Sequence, residues 1–366
     1  MAHLEEQLSQ LWRSAAEDPE TEHPVVRACV LTLLVFVEDE PTGHETLQLI
    51  SKIIAQNPCR AIIAIAEPNA RPEGLSAWIS AQCHLPAPDA KQVCCEQICV
   101  RARGNAVEGL DSVVLPLTVP ELPVYLWWRT KGFTPPRFMG QILRVTDHIV
   151  VDSARFHDPI SDLRNIAGQV QRFKGAEKVA FSDLNWARLT PCRELIAQFF
   201  DSAEANLCLQ DLVEVKLEWQ QGKNANGGRL AQALLLTGWL AGRLGWKPSS
   251  RIAKDENQTR SLEFDREGKL IRVECITQPG AGEQSTPISV TLKTGTNPPS
   301  QFSVIVSEEK RTVQTRAELP GRPPIERAVR LISMDEVELL NEELKFPGRD
   351  KIYEEALAVI ASMVEL

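Results

Sequence analysis

At 366 residues and 40.8 kDa the chain exceeds what one hydrophobic core ordinarily supports, so two domains are expected. Hydrophobic residues make up 43% and charged residues 24%, and a net charge of −9 with a pI of about 5.4 argues against a nucleic-acid or anionic-membrane surface. No run reaches the roughly 20 apolar residues of a membrane span, the first residues lack a basic region ahead of an apolar core, and nine cysteines are an odd number for a disulfide framework, so a cytoplasmic chain with reduced thiols is expected.

Leu4, Leu8, Leu11 and Trp12 recur at helical spacing and predict an amphipathic helix over 3–17. Residues 27–38 form a nearly continuous apolar run suited to a central strand. A helix over 42–57 follows, with Pro41 and Thr42 as start signals and Pro58 as a stop. Residues 60–66 read as a second strand, which completes a strand-helix-strand unit and implies a parallel sheet with a right-handed crossover. Two more strands are expected over 75–85 and 94–103, then a helix over 106–117 that ends before Pro120.

Val124 to Trp128 is a short apolar run between turn signals and reads as a buried parallel strand. Neighbouring strand residues point to opposite faces, so Trp127 and Trp128 cannot share a pocket. A helix over 136–145, a strand over 148–152 and a helix over 159–174 come next. Within 183–201 a helix is expected to start near Pro191, because proline is tolerated in a first turn.

Beyond this point the pattern changes to strict alternation. Val213, Val215, Leu217 and Trp219 alternate with polar residues, as do Ile271, Val273 and Cys275, then Ile288, Val290 and Leu292, then Phe302, Val304 and Val306. Such strands have one wet face and belong to antiparallel sheets. A long apolar helix over 229–245 should cover the dry face, and helices over 333–344 and 351–364 close the chain. The expected fold is therefore an α/β N-terminal domain with a mainly parallel sheet (1–205), followed by an α+β C-terminal domain with a mainly antiparallel sheet and C-terminal helices (206–366).

For chemistry, Cys83, His84, Cys94, Cys95 and Cys99 form a cysteine-rich segment whose spacing matches neither a zinc ribbon nor a thioredoxin-type motif. On a straight strand Cys95 and Cys99 lie roughly 13 Å apart and cannot bond each other, which leaves a cross-strand partner such as Cys83 open. Both are expected on a polar face with Gln97, Arg101 and Arg103, where nearby guanidinium groups would lower thiol pKa. Cys83, Cys94, Cys95 and Cys99 are therefore the redox candidates. The segment 222–229 sits where a phosphate cradle would be placed, yet it shares only its glycines with that motif, and a connection with Asn226 capping the next helix is preferred. The chain contains no GxSxG, HExxH or GxGxxG pattern. In an open α/β sheet, ligands bind beyond the C-terminal strand ends, so Asp39, Arg129, Asp152 and Ser153 would line any crevice.

The stretch 115–133, together with DHIVVDSARF (147–156), DLNWARLTPCREL (183–195) and GGRLAQALLLTGWLAGRLGW (227–246), resembles the glucose-6-phosphate dehydrogenase assembly protein family, OpcA, whose segments run in this order. Cys192 stands where other members carry a bulkier residue, and the many cysteines are most similar to the cyanobacterial branch. The resemblance implies a non-catalytic assembly factor and allosteric activator without a cofactor. Such a protein binds glucose-6-phosphate dehydrogenase, the entry enzyme of the oxidative pentose phosphate pathway, and favours its active oligomer. Redox control through thioredoxin is implied as well, with no role for nucleic acid or membrane. A partner surface should then be exposed, and Trp12, Trp127, Trp128, Arg129, Tyr353 and Leu357 are its candidates. The competing class is an α/β enzyme acting on a sugar phosphate or nucleotide, which requires Asp152, Ser153 and Arg129 to converge on a pocket. A scaffold without regulatory effect is the third.

Overall fold

The computed structural model describes residues 25–84, 92–174, 179–224, 226–250, 252–254, 259–307, 312–331 and 334–365. The helix expected over 3–17, with Trp12, lies outside them. The first sheet contains β1 (Val25–Arg27), β2 (Leu31–Val37), β3 (Cys59–Glu67), β4 (Gly74–His84), β5 (Gln92–Arg103), β6 (Val124–Trp128), β7 (His148–Val151) and β8 (Ala180–Asp183). Its order is β1-β5-β3-β2-β6-β7-β8, all parallel, with β4 antiparallel on β5. From β5 to β8 this is the doubly wound order 3-2-1-4-5-6.

Every residue of β2 and β6 is buried, as a parallel sheet covered on both faces requires. Trp128 packs on one face against Phe36, with ring centroids 4.6 Å apart, and donates its indole N–H to Gly132 O at 2.8 Å. Trp127 packs on the other face with Leu33, Val35 and Ile50. Helix α1 (Glu40–Ile54) starts where Asp39 accepts from the Thr42 N–H at 2.7 Å. The region expected to be one helix over 106–117 is a 3-10 turn (Gly104–Gly109), a short helix α2 (Leu110–Val114) and a second 3-10 turn (Leu115–Leu117). Pro116, which has no N–H to donate, sits in that last turn. Helices α3 (Gly140–Val145) and α4 (Pro159–Arg172) follow.

Strand β8 and helix α5 (Leu184–Arg188) were not expected from sequence. They precede α6 (Thr190–Gln198), which starts near Pro191 as expected and holds that proline in its first turn, and α7 (Ala203–Cys208).

The second sheet contains β9 (Leu212–Gln221), β10 (Lys247–Pro248), β11 (Ala253–Lys254), β12 (Arg260–Arg266), β13 (Lys269–Pro279), β14 (Ser289–Thr294), β15 (Gln301–Ser307), β16 (Thr312–Glu318) and β17 (Ile325–Arg330). The order is β10-β12-β13-β9-β14-β15-β16-β17, antiparallel except for β9 on β13. Helix α8 (Gly228–Leu244) covers the dry face and ends on Gly245 at φ 69°, a left-handed cap that glycine adopts without strain.

Two last helices, α9 (Glu336–Glu343) and α10 (Lys351–Glu365), return to the first half of the chain. Leu339 and Leu340 of α9 join the core under Trp127, and α10 packs on both α8 and α4. A Cβ on Gly238 would lie 2.5 Å from Ala356 O, so glycine sets the α8–α10 approach. The larger core cluster accordingly draws residues from both sheets.

Candidate functional site

Strands β2 and β6 are neighbours from which the chain runs to opposite sides, and the crevice beyond their C-terminal ends is where a doubly wound sheet takes a ligand. Arg129 follows β6 there and its side chain is fully buried. Its guanidinium donates to Glu336 through Nε (3.1 Å) and Nη2 (3.0 Å), to Glu45 through Nη2 (2.7 Å) and to Thr46 through Nη1 (2.9 Å). Burial opposes its charge, but the Glu336 and Glu45 carboxylates outweigh it and raise the pKa above the ordinary value. Glu336 comes from α9, more than 200 residues later, and Arg155 approaches it at 3.8 Å.

The start of α1 is the second wall. Its N–H groups are met by the chain's own carboxylates: Thr42 N–H by Asp39, and Glu40 N–H by Glu67 at 3.3 Å. Burial and the Asp39 charge push the Glu38 carboxyl up. Burial works the same way on Asp39, but hydrogen bonds from Thr42 and the charges of Lys131 and Arg155 hold it below its usual value. A helix start whose donors are satisfied by carboxylates is a poor seat for a phosphate.

The other expected crevice residues are engaged by partners of their own. Asp152 accepts two bonds from Arg188, at 2.6 and 3.0 Å. Ser153 Oγ accepts from Asn185, which also donates to Gly228 O and accepts from Gln232. Asp183 accepts from the N–H groups of Ser153 and Asn185, and burial lifts its pKa to about 6. These bonds tie the end of β8 to the start of α8. At the start of β7, His148 Nε2 lies 2.7 Å from Oγ of Ser182, the residue before Asp183 on β8, and Ser182 donates to Glu343 at 2.6 Å. Ser182 Oγ thus stands between an imidazole and a carboxylate, and it gives its proton to Glu343. Burial pushes His148 down to about 4.

The segment 222–229 is a connection. Gly227 N–H donates to Phe156 O at 2.9 Å, and Asn226 caps Gly228 N–H at 3.0 Å from one residue ahead of the helix cap, Gly227. Beside it an open, mainly apolar groove of about 690 Å³ runs between α6, α8 and α9. Arg188, Arg229 and Leu236 line it, and Met334 and Phe346 expose apolar surface at its rim.

The thiols resolve into two groups. Register pairs Cys83 on β4 with Cys94 on β5, and the two form a disulfide with Cys83 exposed and Cys94 buried. The partner of Cys83 is thus Cys94, not Cys95. Cys95 and Cys99 correct the expected polar face: both are buried, and burial raises their pKa to about 11 and about 12. Their strand lies between β3 and β4, where even Glu96 and Gln97 are buried and bonded to Arg60 and Ser80. Among the described residues no His, Cys, Asp and Glu cluster could hold a metal.

Trp127, Trp128, Arg129, Tyr353 and Leu357 also correct an expectation, since an exposed partner surface cannot be made of them. Each is at most 1% exposed, because α9 covers one face of β6 and α10 is enclosed by α4 and α8. Glu336, Glu45, Arg188 and Asn185 were not anticipated. Asp335 and Glu338 form a capping box that marks the start of α9 in sequence, but nothing local says where α9 docks.

The family described as "Glucose-6-phosphate dehydrogenase subunit N-terminal domain" matches residues 50–168, and its C-terminal counterpart matches residues 179–357. A curated relative from Synechocystis sp., named as the OxPP cycle protein OpcA, is 29% identical across 86% of this chain and 65% of its own length. Another of that name, from Synechococcus elongatus, is 30% identical across 86% and 69%. The chain thus spans less than two thirds of the Synechocystis relative. Among solved structures, glucose-6-phosphate 1-dehydrogenase from Mycobacterium avium aligns at a TM-score of 0.51 and 9% identity, covering 92% of this chain and 91% of that one. Apo levoglucosan dehydrogenase aligns at 0.51 and 10%, covering 92% and 96%. At such identities the likeness is one of fold.

Proposed function

The chain belongs to the OpcA family of glucose-6-phosphate dehydrogenase subunits, and from that premise we propose that it is a non-catalytic assembly factor and allosteric activator of this enzyme. It binds glucose-6-phosphate dehydrogenase in the cytoplasm and favours its active oligomer. An activator of this kind works by binding the active conformation or assembly more tightly than the inactive one.

The observation that carries the reading is the filled crevice. Where this fold would seat a dinucleotide, Arg129 is locked to Glu336 and Glu45, and Asp39 and Glu67 occupy the donors at the start of α1. A dehydrogenase needs that space open, whereas a subunit that acts by contact does not.

Thiol control enters at Cys83–Cys94. A thiolate of a thioredoxin-type dithiol attacks the exposed Cys83 sulfur and displaces the Cys94 thiolate. The second thiol of the reductant then releases itself as a disulfide, leaving Cys83 and Cys94 reduced. Co-purification with the dehydrogenase under oxidising and reducing conditions tests both halves of the reading. Retention in at least one state, with a shift between the two that Cys83→Ser abolishes, is expected. Failure to bind in either state overturns the partner; equal binding in both overturns the redox control alone.

A further inference from the structure

We infer that the free edge of the second sheet, β17, pairs with the same edge of a second copy of this chain, antiparallel and centred on Ala328. All six residues of β17 are exposed and its outer side carries no strand among the described residues. The sheet's other end is the two-residue β10, so β17 is its long unpaired edge. Unpaired strand edges offer rows of N–H and C=O groups that only another strand matches fully.

Charges normally blunt such an edge, and the pattern Ile325-Glu326-Arg327-Ala328-Val329-Arg330 decides which pairings it tolerates. If the sheet continues across a two-fold axis, residues of the same face must meet, so the register can be centred on a residue but not between two. Centring on Arg327 sets two guanidinium groups opposite each other, and centring on Glu326 sets two carboxylates opposite; both are repulsive. Centring on Ala328 sets Glu326 opposite Arg330 of the second copy, twice. Glu326 gives Oε1 to Arg316 at 2.8 Å and keeps Oε2 for a second cation, while Arg330 enters no ion pair among the described residues.

The other face agrees with this register. Ile325 (53% exposed) meets Leu331 of the second copy, and Val329 (41%) meets the aliphatic stem of Arg327. Val329 pairs with the buried Val313 of β16 and Ile325 with Ala317, on the side where Val306, Val313 and Leu331 line the apolar groove. Pairing therefore covers apolar surface that the single chain leaves in water.

The test uses the full chain alone, and so its outcome is separate from the dehydrogenase reading. Because one strand pair is a small interface, sedimentation velocity should cover concentrations up to on the order of 100 µM. The parent is expected to dimerise. Glu326→Arg and Arg330→Glu should each weaken the dimer roughly tenfold to a hundredfold, since each turns two attractive pairs into two repulsive ones. An equimolar mixture of the two variants should recover the parent affinity as a heterodimer, because both cross-strand pairs are then attractive again. Arg330→Glu breaks no intrachain ion pair among the described residues and carries the single-variant arm if Glu326→Arg, which loses Arg316, fails to fold. A monomeric parent, a variant that dimerises like the parent, or a mixture that stays monomeric would each overturn the pairing.

Discussion

The two sheets handle charge in opposite ways. The first keeps it inside: Arg129, Asp152, Asp183 and His148 are buried and hydrogen-bonded around strand ends, and Glu96 is buried and hydrogen-bonded within β5. The second keeps its dry side apolar, with Val215, Leu217, Val273, Val290 and Val304 under α8, and places Glu214, Lys216, Glu274 and Arg316 on an open face. Buried ionic groups are weak stabilisers, because desolvation offsets most of their attraction, but they fix one arrangement strongly, since removing a partner strands a charge. The first sheet is thus built for a single closed geometry in the region where its fold would otherwise hold a ligand. The surfaces left to meet other molecules belong largely to the second half.

The sharpest way to break this contrast is to remove one buried cation. Arg129→Met leaves Glu336 and Glu45 without it and should lower unfolding free energy by about 3 to 5 kcal/mol, measured by urea denaturation. Adding Glu336→Met should recover part of that loss; a double variant no better than the single one would show that the crevice is not held by this pair.

Titration comes next. His148 titrates near 4 in the fold against an ordinary 6.5, so between these pH values only the unfolded chain binds the proton, and acidification costs about 3 kcal/mol by pH 4. Asp183 has the opposite sign: near 6 in the fold against 3.8, it contributes stability below 3.8 that is lost as pH rises through 6. The two nearly cancel in the parent. Asp183→Asn should expose the His148 slope, and His148→Phe should reverse it, both read from urea midpoints at pH 6.5 and 4.5. A smaller effect is expected at Cys83. The bridge spans 11 positions, so Cys83→Ser should cost about 2 to 3 kcal/mol, and dithiothreitol should lower the parent's midpoint equally while leaving the variant unchanged. Smallest of all, Lys216→Met on the open face should stay within about 0.5 kcal/mol.

What could be read from sequence follows the same division. β2, β3 and β6 are legible because a strand buried on both faces must be apolar throughout, and β9, β14 and β15 because one wet face enforces alternation. β8 is four residues ending in Ser182 and Asp183, too short and polar to announce itself. β17 is exposed on both faces and so carries no burial pattern at all. The opposite facing of Trp127 and Trp128 follows from strand geometry, but their complete burial depends on α9 and on α3 and α4, elements whose docking no local signal encodes. Cys95 and Cys99 depart from the expected polar face for a similar reason: Gln97 and Arg101 read as a wet face, whereas both faces of β5 are covered where these thiols lie.

The central claim, that this chain acts by contact and not by turnover, is tested most directly by titrating it into purified glucose-6-phosphate dehydrogenase while following rate, substrate affinity and oligomer size together. The account predicts a saturable rise in rate or affinity with a shift to the larger active assembly, and no dehydrogenase turnover by this chain alone. Unchanged kinetics and oligomer size at saturation, or oxidation of substrate by the chain without the enzyme, would contradict it.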